Sequence, residues 1–197
     1  MLSQIRPAIV ITLFFTLLLG VGYPLLVTGI AQLAFPAQAG GSLIRDAKGD
    51  VVGSSLIAQK FVGPGYLHPR PSAAGTDGYD ASGSGGSNYG PLNPDLAKRV
   101  ARDAAALQGE GAGAVPADAL TTSASGLDPD VSPANAERQA ARIAAARGVP
   151  VSQVQGAIAA NTAGAFLGIF GQPHVNVLKT NLALDARPPA KPSSPAG

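Results

Sequence analysis

The 197-residue chain has no cysteine, a single methionine and two histidines. Without cysteine there is no disulfide framework, no thiol nucleophile and no Cys-based zinc site. The histidines, His68 and His174, lie far apart in the sequence and outside any HExxH pattern, so each reads as a structural hydrogen-bonding residue. Fourteen basic residues face twelve acidic ones, so the pI near 9.1 reflects a small excess of charge. No Lys/Arg cluster is interleaved with aromatics, and nucleic-acid binding has no support. The only Lys-Thr pair, Lys179-Thr180, follows Leu178, which excludes a P-loop. The glycines from Gly83 to Gly86 lack GxGxxG spacing and follow no clear strand. Ser87, Ser123 and Ser125 stand in neither GxSxG nor SxxK surroundings. Asp128 and Asp130 flank Pro129 without the calcium-loop pattern, which leaves them capping or turn roles. An enzyme in its own right is not expected.

A long run near the N-terminus lacks charge. No Asp, Glu, Lys or Arg occurs from Pro7 to Phe35. A bilayer core takes about 20 apolar residues, and Ala8 to Ala31 as a helix would run roughly 36 Å. A signal peptide has a shorter apolar core, so length favours a retained anchor; Ala37-Gln38-Ala39 nevertheless fits a small-x-small cleavage site. Every fourth residue from Ala8 is small or polar: Ala8, Thr12, Thr16, Gly20. Such a stripe lets a second helix approach closely. Pro24 removes a backbone donor and predicts a kink. Arg6 before the run gives a weak positive-inside bias, with the N-terminus cytoplasmic.

The remaining roughly 145 residues suffice for one domain with its own core. Residues 42–46 and 51–57 flank a turn and predict a hairpin. Pro69 and Pro71 confine residues 61–72 to an edge or a loop. Residues 75–93 form a long Gly/Ser loop, read either as a linker or, given Tyr79, Asp80, Asn88 and Tyr89, as functional. Asn93-Pro94 opens a helix with Leu96, Val100, Ala104 and Leu107 on one face and Lys98, Arg99, Arg102 and Asp103 solvated. Residues 119–123 suggest a short strand. Ser132-Pro133 starts a helix that Gly148 stops. Ser152 with Gln155 fits a capping box for a further helix, with Val154 and Ile158 buried. Residues 166–170 and 175–184 read as strands, and the proline-rich segment 186–197 as disordered.

Several segments taken in order carry a resemblance. They are Gly41-Ser42-Leu43-Ile44, Gly53-Ser54-Ser55-Leu56-Ile57 with Gln59, and Arg70-Pro71-Ser72-Ala73. Next come Ser84-Gly85-Gly86-Ser87-Asn88 with Gly90-Pro91, and Ser125-Gly126-Leu127-Asp128-Pro129 with Ser132. The last are Val175-Asn176-Val177-Leu178 and Asn181-Leu182-Ala183-Leu184; Thr180 stands where an apolar residue is expected. Together they resemble the C subunit of the Kdp potassium-transporting ATPase.

That resemblance implies an α+β fold class: a single N-terminal transmembrane helix (8–34, after a cytoplasmic tail 1–7), then one compact extracytoplasmic α+β domain (35–185). It implies a place in the cell (inner) membrane beside a channel-like potassium-binding subunit, a P-type ATPase subunit and a small single-helix subunit. The phosphorylated aspartate and the ATP site belong to the ATPase subunit; ATP and K+ are used by the complex, and no cofactor is expected on this chain. The family is also described as a catalytic chaperone that raises ATP affinity. The expected partner contacts are Ala8, Thr12, Thr16 and Gly20 on the helix, the loop Ser84, Gly85, Gly86, Ser87 and Asn88, and the turn Ser125, Gly126, Leu127, Asp128 and Pro129. The alternative is an anchored or secreted small-ligand-binding protein unconnected with transport.

Overall fold

The structure is a computed structural model that describes residues 2–46, 48–110 and 113–186. Of the expected disordered tail, residues 187–197 lie outside the described residues. Contacts divide the chain into two units between Ser54 and Ser55.

The first unit begins with a 3-10 turn, Leu2–Gln4, and continues as helix α1, Ile5–Leu17. A π-helical turn, Leu18–Gly22, leads into α2, Tyr23–Ala34. The whole apolar helix, Ile5–Ala34, is long enough to cross a membrane and has no buried residue. The kink expected at Pro24 takes the form of this π turn. Tyr23 N–H reaches back five residues to the Leu18 carbonyl, and the wider turn re-pairs donors around the N–H that proline lacks. A short helix α3, Pro36–Ala39, contains the small-x-small triple.

Strands β1, Leu43–Arg45, and β2, Val51–Ser54, pair antiparallel as the expected hairpin, with a register shift between Ile44 and Arg45. Asp46 organises its turn: Oδ1 accepts from the Lys48 and Asp50 amides, both at 2.9 Å. The second strand stops at Ser54, whose hydroxyl donates to the Gly41 carbonyl at 2.8 Å.

The second unit is a mixed α+β domain. Helix α4, Pro94–Leu107, is capped by Asn93, whose side chain accepts from the Asp95 amide. Its expected apolar face is only half-buried, and Arg99 and Asp103, expected in solvent, are half-buried beside it. Residues 119–123 are not a strand. A helical turn α5, Ala117–Leu120, takes their place, because Asp118 sits in its first turn and bonds forward to the next helix. The Asp118 carboxylate accepts from Ser132 N–H (2.7 Å), Ser132 hydroxyl (2.8 Å) and the Asn135 amide (3.1 Å). After β3, Asp130–Val131, helix α6 runs Pro133–Arg147, with Ser132 as its cap and Gly148 left-handed (φ +64°) at its end, as expected.

Helix α7, Val151–Ala160, starts before the expected capping box: Pro150 is its N-cap, Ser152 lies inside the first turn, and Gln155 bonds Glu137 instead. Val154 and Ile158 are buried, as expected. Strands β4, Thr162–Ala163, and β5, His174–Asn176, complete an antiparallel sheet of order β3-β5-β4. Residues 166–170 form a tight turn, closed by bonds between Phe166 and Phe170, and not a strand.

The largest correction falls on 175–184. Only the start is strand; helix α8 runs Val177–Asp185. A short apolar run does not separate strand from buried helix by pattern alone. Asn176 decides it: its side chain caps the Lys179 amide, and Val177, Leu178, Asn181 and Leu184 then fall on the buried side. Thr180 is fully buried because its hydroxyl donates to the Asn176 carbonyl at 2.7 Å.

The core joins Leu67, Val131, Ile143, Val154, Ile158, Val175, Val177 and Leu184 with small residues of α6 and α7, among them Ala136, Ala140, Ala144 and Ala157. Into it runs the loop backbone at Leu67 and His68. Leu67 N–H donates to Asn181 Oδ1 (2.8 Å), and Asn181 Nδ2 donates to the Leu67 carbonyl (2.9 Å). One residue on, His68 N–H donates to Gln139 Oε1 (2.8 Å), and Gln139 Nε2 donates to the His68 carbonyl (3.2 Å). Asn181→Leu keeps the volume but strands both Leu67 groups. Each buried unsatisfied group costs about 1–3 kcal/mol, so a loss of about 2–6 kcal/mol is expected from chemical unfolding of the domain. A variant as stable as the parent would contradict this account.

Candidate functional site

The two domain loops expected to meet partners lie against each other. The chain from Arg70 to Asn88 turns back on the segment Thr121–Asp128. Ser72 is the first tie: its hydroxyl donates to the Gly126 carbonyl (2.6 Å) and accepts from the amides of Ala74 (3.1 Å) and Tyr79 (2.8 Å). Tyr79 has φ +60°, and its hydroxyl donates to the Arg70 carbonyl at 2.7 Å. Burial pushes its pKa up to about 12, so it stays a neutral donor. Asp80 accepts from both the hydroxyl and the amide of Ser82, which hold its carboxyl below the ordinary range.

The Gly/Ser loop and the 125–129 turn then bond directly. Gly85 N–H (2.9 Å) and the Ser84 hydroxyl (3.0 Å) both donate to the Ser125 carbonyl. Ser87 and Thr122 share a hydroxyl bond at 3.2 Å. Asp128 pairs with Arg70 at 2.8 Å and accepts from the Asp130 amide, the turn role expected of it. The Leu127 carbonyl accepts from Ala58 N–H and the Pro129 carbonyl from Val177 N–H, each at 3.0 Å. The 75–93 loop therefore carries fixed bonds over its 84–87 stretch and is no free linker there. Ser84, Asn88 and Ser125 remain exposed, whereas Gly126 is buried. Ala8, Thr12, Thr16 and Gly20 belong to the first unit, on the apolar helix.

Glycine is required where the loops cross. Gly126 has φ +67°, and a Cβ there would stand 2.6 Å from the Gly85 carbonyl oxygen and 2.7 Å from Ala74 Cβ. A Cβ on Gly86 would meet the Ala124 carbonyl oxygen at 3.0 Å.

Beside these loops, an open cleft of about 270 Å³ lies between α4 and α6, lined in part by His68, Asp103, Leu107, Glu110 and Arg138. The Arg138 side chain is 7% exposed, and its guanidinium contacts Glu110 at 3.4 Å. His68 is half-buried on its floor, with Nε2 2.9 Å from the Gly63 carbonyl. Burial lowers its pKa; the Gly63 bond opposes this, and the Arg142 charge adds to the lowering. No group of three or more potential metal ligands occurs among the described residues.

Two long-range features escaped the sequence, the Arg70–Asp128 pair and the Ser72–Gly126 tie, as did the half-buried Tyr79. Arg70, Ser72 and Asp128 lay in recognised segments, but nothing in their spacing joins positions more than 50 residues apart.

The arrangement defines a class: an anchored α+β domain with loops locked to one another. Comparison with known proteins is more specific. The family profile of "K+-transporting ATPase, c chain" matches residues 5–186, and the chain belongs to that family. Proteins named "Potassium-transporting ATPase KdpC subunit" are similar over nearly their full length. The protein from Caulobacter sp. (strain K31) is 64% identical over 191 residues, covering 96% of this chain and 97% of the relative. That from Beijerinckia indica is 61% identical over 193 residues, 96% of each. That from Gemmatimonas aurantiaca is 52% identical over 195 residues, 98% of each. The chain is accordingly an accessory, non-catalytic member of a transport ATPase family. Among the described residues one helix, Ile5–Ala34, passes the membrane, with a cytoplasmic N-terminus and an extracytoplasmic domain.

Two outcomes test this geometry. Gly148→Ala adds only left-handed strain, about 1–2 kcal/mol, since nothing stands within 4 Å of its Cβ. Gly126→Ala adds the clash as well and should cost clearly more in the same unfolding assay; equal losses would refute the tight crossing. For His68 the sign follows from linkage: its folded pKa lies below the unfolded value near 6.5. The stability it contributes is complete above pH 6.5 and is lost as pH falls through the folded pKa. The thermal midpoint should drop between pH 7 and 5, less steeply in His68→Gln; identical slopes would count against this.

Proposed function

We propose that this chain stabilises a potassium-translocating complex as a two-part clamp. Relatives with 52–64% identity bear the name of a potassium-transporting ATPase subunit. On this reading the partners are the channel-like potassium-binding subunit, the P-type ATPase subunit and the small single-helix subunit. The apolar helix docks on the channel-like subunit by its Ala8–Thr12–Thr16–Gly20 side. The outer domain, through Ser84–Asn88 and Ser125–Pro129, lies over the potassium entrance.

The observation that carries the reading is the helix itself. From Ile5 to Ala34 it buries nothing within its own chain. At Gly20 an added Cβ would meet only Thr16 Cγ2, at 4.0 Å, so the small-residue side is open to close approach. The role as a chaperone for ATP fits the same helix. A domain outside the membrane cannot touch cytoplasmic ATP, so a rise in ATP affinity of the ATPase subunit is transmitted through the helix and its contacts.

Thr12→Leu combined with Gly20→Leu fills the stripe without adding polarity. Co-purification of the large subunits should fall several-fold while the outer domain stays folded, as judged by protease resistance. Undiminished assembly and potassium-stimulated ATPase activity would remove the helix from the proposal.

A further inference from the structure

We propose that the turn Phe166–Phe170 is a lipid-contacting tip that dips into the bilayer surface. The proposal rests on the membrane anchoring of this chain and not on the clamp. The turn lies in the connection between β4 and β5 and presents Phe166, Leu167, Ile169 and Phe170 at 71, 73, 78 and 64% exposure. These are four large apolar side chains on one short turn, at the end of a paired stem, Thr162↔Val175 and Ala163↔His174.

Four of the five amides of the turn, all but that of Leu167, are paired within the chain. An amide that enters hydrocarbon needs an internal partner. Phe166 N–H donates to the Phe170 carbonyl (2.8 Å) and Phe170 N–H to the Phe166 carbonyl (2.9 Å). Gly168 N–H donates to the Ala165 carbonyl (3.0 Å) and Ile169 N–H to the Phe166 carbonyl (3.2 Å). Leu167 adopts φ +54°, a left-handed conformation that favours glycine or asparagine. A leucine is therefore held at a position where the backbone alone would prefer another residue.

Charge points the same way. No Asp, Glu, Lys or Arg occurs from Gly148 to Leu178, a stretch that contains the tip and both strands flanking it. A protein interface takes directional hydrogen bonds and a polar rim around its apolar centre. The four tip side chains offer neither donor nor acceptor, whereas hydrocarbon asks only for apolar surface. Tethering makes weak insertion sufficient, because the anchor on the same chain keeps the domain at high effective concentration beside the bilayer. The lack of cations makes the contact indifferent to anionic lipid and to salt.

The natural absence of cysteine permits a direct test. Ile169→Cys and, separately, Leu167→Cys carry an environment-sensitive fluorophore in the full chain reconstituted in phosphatidylcholine vesicles. Ala105→Cys, on the exposed side of α4, is the control. The expected result is blue-shifted emission at both tip positions and several-fold quenching by lipids brominated near the headgroup end of the acyl chain. It should be unchanged in 0.5 M salt and absent at Ala105. Quenching should persist after assembly with the other subunits, whose co-purification is scored separately from the tip signal. A tip fluorophore that is unquenched in the folded chain alone overturns the proposal. So does one that becomes shielded only when the other subunits are added, which is docking on protein.

Discussion

The second unit depends on two side-chain amides that act as strands. Leu67 and His68 cross the interior in a segment that Pro69 and Pro71 bar from a sheet. Their backbone groups must nevertheless be paired, because a buried amide without a partner costs more than most side-chain contacts return. Asn181 from α8 pairs both groups of Leu67, and Gln139 from α6 pairs both groups of His68. Each bond reaches across 71 or 114 residues, so these amides fasten two helices to one loop. Gln139 is in turn held by Asn135, and Asn135 by Asp118, which also bonds Ser132. A chain of polar groups, buried at Asn135 and Gln139, thus runs from α5 through α6 to the loop. It is fully paired at each of these steps, the condition under which such a network rigidifies.

This matters because the apolar core is modest in side-chain size. Alanines of α6 and α7 let the two helices approach closely, but each buries little area. With no cysteine in the sequence, disulfides cannot make up the difference. Hydrogen bonds between loops do part of that work. Residues 70–80 are held by Ser72 and Tyr79, and 84–87 by the carbonyl of Ser125 and the hydroxyl of Thr122. The same bonds keep exposed Ser84 and Ser125 in fixed positions, so a partner that meets them does not have to order that stretch first.

Local chemistry was legible in the sequence, and distance was not. Asn93-Pro94, Ser132-Pro133 and Gly148 marked helix ends because capping needs only neighbours, and the structure follows them. The apolar helix was legible from length and lack of charge. The errors share a cause. Residues 119–123, 166–170 and 175–184 were short runs whose apolar residues fit either period. Each was decided by one polar or backbone bond: Asp118 reaching Ser132, Phe166 closing on Phe170, Asn176 capping Lys179. Ser152 and Gln155 had the spacing of a capping box, but Pro150 had already started the helix. At the candidate site, the motifs were recognised one by one. Their meeting was not, since Ser72 and Gly126 are joined only by the fold.

The tip at 166–170 shows how such an error hides a surface. Read as a strand, its apolar residues would have belonged to the core, and no question would arise. As an exposed turn they are only slightly explained by packing within the domain. Leu167 sits in a left-handed conformation that costs an ordinary residue about 1–2 kcal/mol. A residue that is both strained and unburied gains little from its own domain. The small-residue side of the apolar helix poses the same problem from the other direction, as a surface shaped for close approach with nothing on it. The two surfaces differ in chemistry, one favouring backbone proximity and the other hydrocarbon, so one partner need not satisfy both. A helical partner for the first and lipid for the second each answer to a different one of these chemistries.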